Sequence, residues 1–174
     1  EVAIGADIVS VEEAEEYIEK VPEKQPFMTS SCCPAFVNIV KKYVPDAADK
    51  VSHTVSPMVA TGRWLKEQYP DATTVFIGPC IAKKGEAKGY PEYIDYVLTF
   101  EEAMCLMEGK DIKVENVEAA EFERDGSKVG LGFPLAAGVT AAVNATVNSK
   151  GGRAVIRTIS NVYSSESKND KDFE

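Results

Sequence analysis

Two cysteine runs, Thr29-Ser30-Ser31-Cys32-Cys33-Pro34 and Gly78-Pro79-Cys80-Ile81-Ala82-Lys83-Lys84-Gly85-Glu86, constrain this chain more than any other feature, because each stands where a strand or loop hands over to a helix. Adjacent cysteines such as Cys32 and Cys33 do not readily close a disulfide on each other. A thiol at a helix N-terminus is held as thiolate by the unpaired N–H groups and the helix dipole. Thiolate is the form that iron and zinc bind, so the layout is that of a metal site.

The segments around these runs alternate between helix and strand signals. Over residues 11–21, Val11, Ala14, Ile18 and Val21 share one face at helical spacing, with Ser10 as N-cap. Pro34 suits a first helical position, and Phe36, Val40, Tyr43 and Val44 form a stripe that stops at Pro45. Ser56-Pro57 repeats the cap-then-proline start for a helix to about Tyr69, ended by Pro70. Residues 73–77 are a short β-branched and aromatic run, the pattern of a buried strand, and residues 93–98 are a second. Thr99 and Glu102 form a capping box for a helix that ends at Gly109. Alanine, valine and glycine over residues 133–148 predict a closely packed helix, residues 154–159 alternate as a strand, and residues 164–174 are polar enough to be disordered. Gly130-Leu131-Gly132 is too short for a dinucleotide fingerprint and predicts a turn.

This order predicts an α/β fold, a mostly parallel sheet flanked by helices, with ligands gathering at the C-terminal ends of the strands. Cys80 falls directly after the run at 73–77, where such a fold places a site. The expected organisation is one domain over residues 1–163 and a polar tail over 164–174. At 174 residues and 44% hydrophobic, the chain can bury one sizeable core. A net charge of −9 argues against nucleic acid and anionic membranes as partners. With no run of about 20 apolar residues and no secretory signal, a soluble, cytoplasmic protein is expected. Four cysteines then read as a reduced set, metal-binding or catalytic. Cys105, between Met104 and Leu106, reads as a core thiol, and the single histidine, His53, as a surface or supporting residue. Beginning at Glu1 and ending in a polar tail, the chain reads as a piece of a longer protein.

The cysteine runs resemble the first two signatures of the catalytic domain of iron-only (FeFe) hydrogenases, Thr-Ser-Cys-Cys-Pro and Pro-Cys-x-x-Lys-x-x-Glu. The resemblance extends from Gly5-Ala6-Asp7 through Ser56-Pro57 to the small residues around Gly138, and the family's third cysteine signature is absent. It implies one lobe of a two-lobed catalytic domain whose cleft holds the H-cluster, a four-iron four-sulfur cubane joined through a cysteine to a two-iron unit with CO and cyanide ligands. By the resemblance, Cys33 and Cys80 match two of the four cubane cysteines. Cys32 matches the cysteine that exchanges protons with the two-iron unit, and Lys83 the lysine that donates to a cyanide. Ser56, Pro57 and Pro79 fall among the cofactor-lining positions, and Glu86 orients the second run. Glu13, Glu16 and Ser52 match the proton-path groups, in the expected order Glu13, Ser52, Glu16, Cys32. Without the resemblance, Glu13 and Glu16 read as a solvated helix face.

Gly78, Phe36 and Met58 stand where the best-known members have methionine, tryptophan and glutamine, and an extra serine precedes the cysteine pair. The implied activity is reversible reduction of protons to hydrogen. The implied partners are a ferredoxin-type electron donor or upstream iron–sulfur domains, together with H-cluster maturation proteins. A hydrogenase-like iron–sulfur scaffold or a hydrogen sensor is the alternative. A small zinc or thiol redox module is disfavoured by the lack of Cys-x-x-Cys and of paired histidines. With two of four cubane ligands, this chain alone is expected to bind no cluster.

Overall fold

A long first helix, α1 (Ala3–Lys20), carries the fold, and its buried face combines the small residues Ala3, Gly5, Ala6, Val9, Ser10 and Ala14 with one acidic side chain, Glu13. The computed structural model describes residues 1–135 and 138–151. After α1 come α2 (Pro34–Tyr43), a 3-10 turn (Pro45–Lys50), α3 (Pro57–Gln68), β1 (Val75–Ile77), α4 (Ala82–Ala87), β2 (Tyr96–Leu98), α5 (Phe100–Gly109), a second 3-10 turn (Val114–Asn116), α6 (Lys128–Gly132) and α7 (Gly138–Ser149). α1 packs against α3, α7 and α6.

The first helix begins eight residues earlier than expected, at Ala3 rather than at Val11, and Ser10 is no cap: buried in the helix, its hydroxyl donates to the Ala6 carbonyl at 2.7 Å. Gly5 is the cause. Its amide donates to Thr61 Oγ1 at 3.1 Å, and a β-carbon there would stand 2.0 Å from the Pro57 carbonyl. α1 and α3 therefore touch backbone to side chain, and a residue that reads locally as a helix breaker is required by the crossing. The buried face is also rotated from the expected stripe, since Val11 and Ile18 are exposed while Val9 and Ala14 are fully buried.

Pro34 and Pro57 open α2 and α3 as expected, and Thr99 and Glu102 cap α5 reciprocally. The α2 stripe is only partly realised: Val40 is buried, but Phe36, Tyr43 and Val44 are exposed. β1 and β2 pair in parallel, Val75 with Tyr96, Phe76 with Val97 and Ile77 with Leu98, joined through α4. This is a small parallel sheet in a helix-rich α/β fold. The strand pattern does not make a buried strand. Phe76 and Val97 pack on the cluster of Met58, Val59 and Ile94, whereas Val75, Ile77 and Tyr96 on the other face are exposed.

Two further expectations are corrected. Cys105 is exposed, because α5 buries only Ala103 and leaves Met104 and Leu106 in solvent. Gly130-Leu131-Gly132 belongs to α6 rather than to a turn: Asp7 draws that helix start onto α1, accepting from the amides of Ser127 (2.7 Å) and Gly130 (2.8 Å). The helix expected over 133–148 is observed from Gly138 as α7 (Gly138–Ser149), while residues 133–135 form a turn. The strand expected over 154–159 and the tail over 164–174 lie outside the described residues.

Candidate functional site

The site is assembled where the loop after α1 returns beside the segment between the first 3-10 turn and α3. Thr29 pairs with Val51 in an isolated parallel bridge: its amide donates to the Lys50 carbonyl at 2.9 Å and its carbonyl accepts from Ser52 at 2.8 Å. That pairing sets Ser30, Ser31 and Cys32 alongside Ser52, His53 and Thr54, with the C-terminal half of α1 supplying Glu13 and Glu16.

Cys32 is half-buried, packed on the core of Ala6, Val9 and Ala60. The Ser30 hydroxyl lies 3.3 Å from its sulfur and 3.1 Å from Glu13 Oε2, so one hydroxyl links thiol and carboxyl. Glu13 is 3% exposed. Burial pushes its carboxyl up to about 7, with the Ser30 hydrogen bond opposing and the nearby Glu16 charge adding to the rise. Burial also pushes the Cys32 thiol up, and Glu13 and Cys33 add to this while Ser30 and the Lys83 charge pull it down. Cys32 is thus not held as thiolate by the helix start. Cys33, and not Cys32, is the α2 cap residue, and the desolvation of Cys32 outweighs the charge of Lys83.

Glu16 belongs to an outer network. Ser52 donates to its Oε2 at 2.5 Å, Lys20 to its Oε1 at 2.6 Å, and the His53 amide to both oxygens at 2.9 and 3.1 Å. Burial opposes its charge, but these donors together outweigh it and hold the carboxyl at about 2. Ser52 continues through Thr54 Oγ1 (3.0 Å) to Ser31 Oγ (3.0 Å), which also donates to the Thr54 carbonyl at 2.6 Å. The expected order is therefore corrected: Glu13, not Glu16, is the carboxyl linked to Cys32, and Glu16 with Ser52 lies on the solvent side. The reason is helical geometry, since Glu13 sits on the core face of α1 and Glu16 turns toward the exposed His53. The solvated-face reading of the pair fails for Glu13.

Lys83, in the first turn of α4, is largely buried and pairs with Glu86 at 2.7 Å, while the wholly buried Ser56 donates to the same Glu86 oxygen at 3.0 Å. Glu86 thus ties α4 to the start of α3, and the charge of Lys83 reaches Cys32. Pro57 opens α3 and Pro79 is exposed in the turn after β1. Cys33 is exposed at the start of α2, and Cys80 is half-buried two residues ahead of α4; both are free thiols, and α2 packs against α4. Soft sulfur donors suit iron–sulfur ligation. They fit as part of a ligand set only, because among the described residues no three of His, Cys, Asp and Glu gather as a metal site.

Ser30, Ser31, Thr54, Lys20 and His53 carry the networks; the sequence reading gave His53 a surface or supporting place and assigned no role to the other four. Among those four, only the extra serine before the cysteine pair stood out in the sequence. Hydroxyl residues are common in loops, and which ones line up depends on the Thr29–Val51 pairing. Among the described residues no helix is long and apolar enough to cross a membrane.

Residues 1–173 match the family described as iron only hydrogenase large subunit, C-terminal domain. Iron hydrogenase 1 of Clostridium pasteurianum is 31% identical over 160 residues, covering 82% of this chain and 28% of its own length. A cytosolic Fe-S cluster assembly factor, NAR1 of Kluyveromyces lactis, is 31% identical over 91 residues, 51% of this chain and 19% of its own. A variant of the FeFe-hydrogenase HydA1 from Chlamydomonas reinhardtii superposes with a TM-score of 0.66 at 26% identity, over 84% of this chain and 42% of that one. The chain therefore spans less than half the length of these relatives. A match over nearly every residue, with two cysteine runs folded at the starts of contacting helices, means that the chain belongs to the family formed by the C-terminal domain of the iron-only hydrogenase large subunit.

Proposed function

We propose that this chain is part of the catalytic domain of an iron-only hydrogenase whose complete form reversibly reduces protons to hydrogen. The observation that carries the reading is the Cys32–Ser30–Glu13 link: a thiol, a hydroxyl and a buried carboxyl poised near neutrality, with the charge of Lys83 reaching the same sulfur. Proton carriers work best when their pKa lies near the working pH. Glu13 meets that condition, and the Ser30 hydroxyl accepts a proton from one side as it gives its own to the other.

Cys33 and Cys80 would hold the cubane, with further ligands from chain beyond these residues. Lys83, steadied by Glu86, offers ammonium donors to an anionic ligand, and Ser56, Pro57 and Pro79 shape the surrounding wall. The bound cluster supplies the electron-transfer chemistry. The chain's own residues bring protons to the Cys32 sulfur. Electrons would come from a ferredoxin-type donor or from upstream iron–sulfur domains, and maturation proteins would load the cluster. A cytoplasmic setting suits four free thiols, which persist in a reducing compartment.

The similarity to the NAR1 assembly factor favours, as second reading, an iron–sulfur scaffold, and a hydrogen sensor without high turnover falls with it. Cys32 and Lys83 serve the two-iron unit rather than the cubane, and their presence favours the enzyme. Infrared spectra of the full-length, maturated protein separate the readings through CO and cyanide bands. In that protein Cys32→Ser is expected to keep the bands and lose most turnover, since a hydroxyl does not release protons near neutral pH. Turnover above about a tenth of wild type would count against the relay.

A further inference from the structure

His53 Nδ1 stands between a donor and an acceptor. It lies 2.7 Å from Glu16 Oε1 and 2.9 Å from Lys20 Nζ, and Lys20 itself donates to Glu16 Oε1 at 2.6 Å. A bare Nδ1 accepts from the ammonium; a protonated Nδ1 donates to the carboxylate. Either state uses the same atoms in the same places, because the His53 amide is anchored on Glu16 whatever the ring does. The side chain is 74% exposed, so the rest of the ring meets solvent. Glu16, held at about 2, keeps no proton of its own near neutrality. Imidazole both takes and gives a proton in that range.

We propose that His53 exchanges protons between solvent and the buried hydroxyl–carboxyl network, handing them from Nδ1 to Glu16. The inference rests on the proton-path reading above. Inward, the ring gains a proton from a buffer acid at Nε2 and releases the one on Nδ1 to Glu16 Oε1, so its charge is unchanged over the step. Ser52, which donates to the other oxygen of that carboxyl, joins it to the hydroxyls of Thr54 and Ser31. No electron moves, and the outward direction reverses each transfer. The charged groups facing the ring are Lys20 and Glu16 of α1, while Lys41 of α2 and Glu86 of α4 line the same cleft. His53 touches no reacting atom in this scheme and acts through Glu16.

The test uses the full-length, cluster-loaded protein. His53→Ala preserves the backbone anchor on Glu16 and, at an exposed site, the fold, which a melting curve verifies. Hydrogen evolution near neutral pH is expected to fall about tenfold, with a changed pH profile, and added free imidazole is expected to restore most of it. In the cluster-free protein labelled with nitrogen-15 histidine, the Nδ1 signal that His53→Ala removes is expected to move from acceptor to donor position as pH falls. An unchanged rate and pH profile without imidazole rescue, while Cys32→Ser is inactive, overturns the role of His53 and leaves the relay reading standing. An Nδ1 signal fixed in the donor position at every pH also overturns it. Full activity in both His53→Ala and Cys32→Ser removes the relay reading and the inference together.

Discussion

At the scale of single residues, Glu13 is the side chain that the fold changes most. Spacing alone puts Glu13 and Glu16 on one side of a helix, and composition makes that side a wet one. The folded chain instead buries Glu13 beneath the Ser30 loop and splits the two carboxyls by about five units, near 7 and near 2. Because the folded-state value of Glu13 is raised, its favourable contribution is complete below about pH 4.5 and is lost as pH rises through 7, a change of about 3 kcal/mol. Glu16 has the opposite sign, but its loss begins only as pH falls below about 4.5 toward 2 and does not enter that window. Urea denaturation at about pH 5 and about pH 8.5 should therefore find the wild-type chain less stable at the higher pH, and Glu13→Gln should lack most of that difference. Equal pH dependence in the two proteins would show that Glu13 is not buried as a neutral acid. The sequence carried no sign of the split, since burial is a property of what packs over a residue.

At the scale of elements, local signals located the helix starts at Pro34, Pro57 and Thr99 correctly, because caps and N-terminal prolines act within a few residues of themselves. They failed where an element answers to a distant partner. Gly5 lowers helix propensity, yet it stands inside α1 because α3 leaves no room for a β-carbon. Gly5→Ala is expected to lower stability by about 2 kcal/mol, as overpacking at the crossing exceeds the gain in helix propensity. A thermal melt reads this directly, and a melt equal to or above wild type would mean that α1 and α3 are not in such close contact. The strands failed in a different way. Val75 and Ile77 have the composition of a buried strand, and in this chain one face of β1 and β2 has no cover among the described residues.

At the scale of the whole molecule, one face of the β1–β2 sheet is uncovered and no three potential ligands gather as a metal site among the described residues. The matched part of the chain covers 28% of the Clostridium relative and 42% of the Chlamydomonas structure, and parallel sheets are ordinarily covered on both faces. Affinity for a cubane grows with the number of ligands held in a preformed cavity, and on the proposed reading Cys33 and Cys80 supply two. The chain alone, reconstituted anaerobically with iron and sulfide, is expected to be folded, to show no cubane absorbance and to evolve no hydrogen after treatment with maturation proteins. Near-stoichiometric iron with a cubane spectrum would reveal an overlooked thiolate, with Cys105 or Cys32 the first to substitute.

The two cysteine runs pointed to the family and the alternating helix and strand signals to the α/β class, because motif residues and helix-start chemistry are encoded within a few adjacent residues. Which carboxyl lies next to Cys32, which serines join them, and that His53 faces Lys20 and Glu16 at once were decided only when the Thr29–Val51 pairing brought residues 29–32 beside residues 51–54 and α1. Those contacts join residues far apart along the chain, and hydrogen bonds and desolvation act over a few ångströms of space, whatever the distance in sequence.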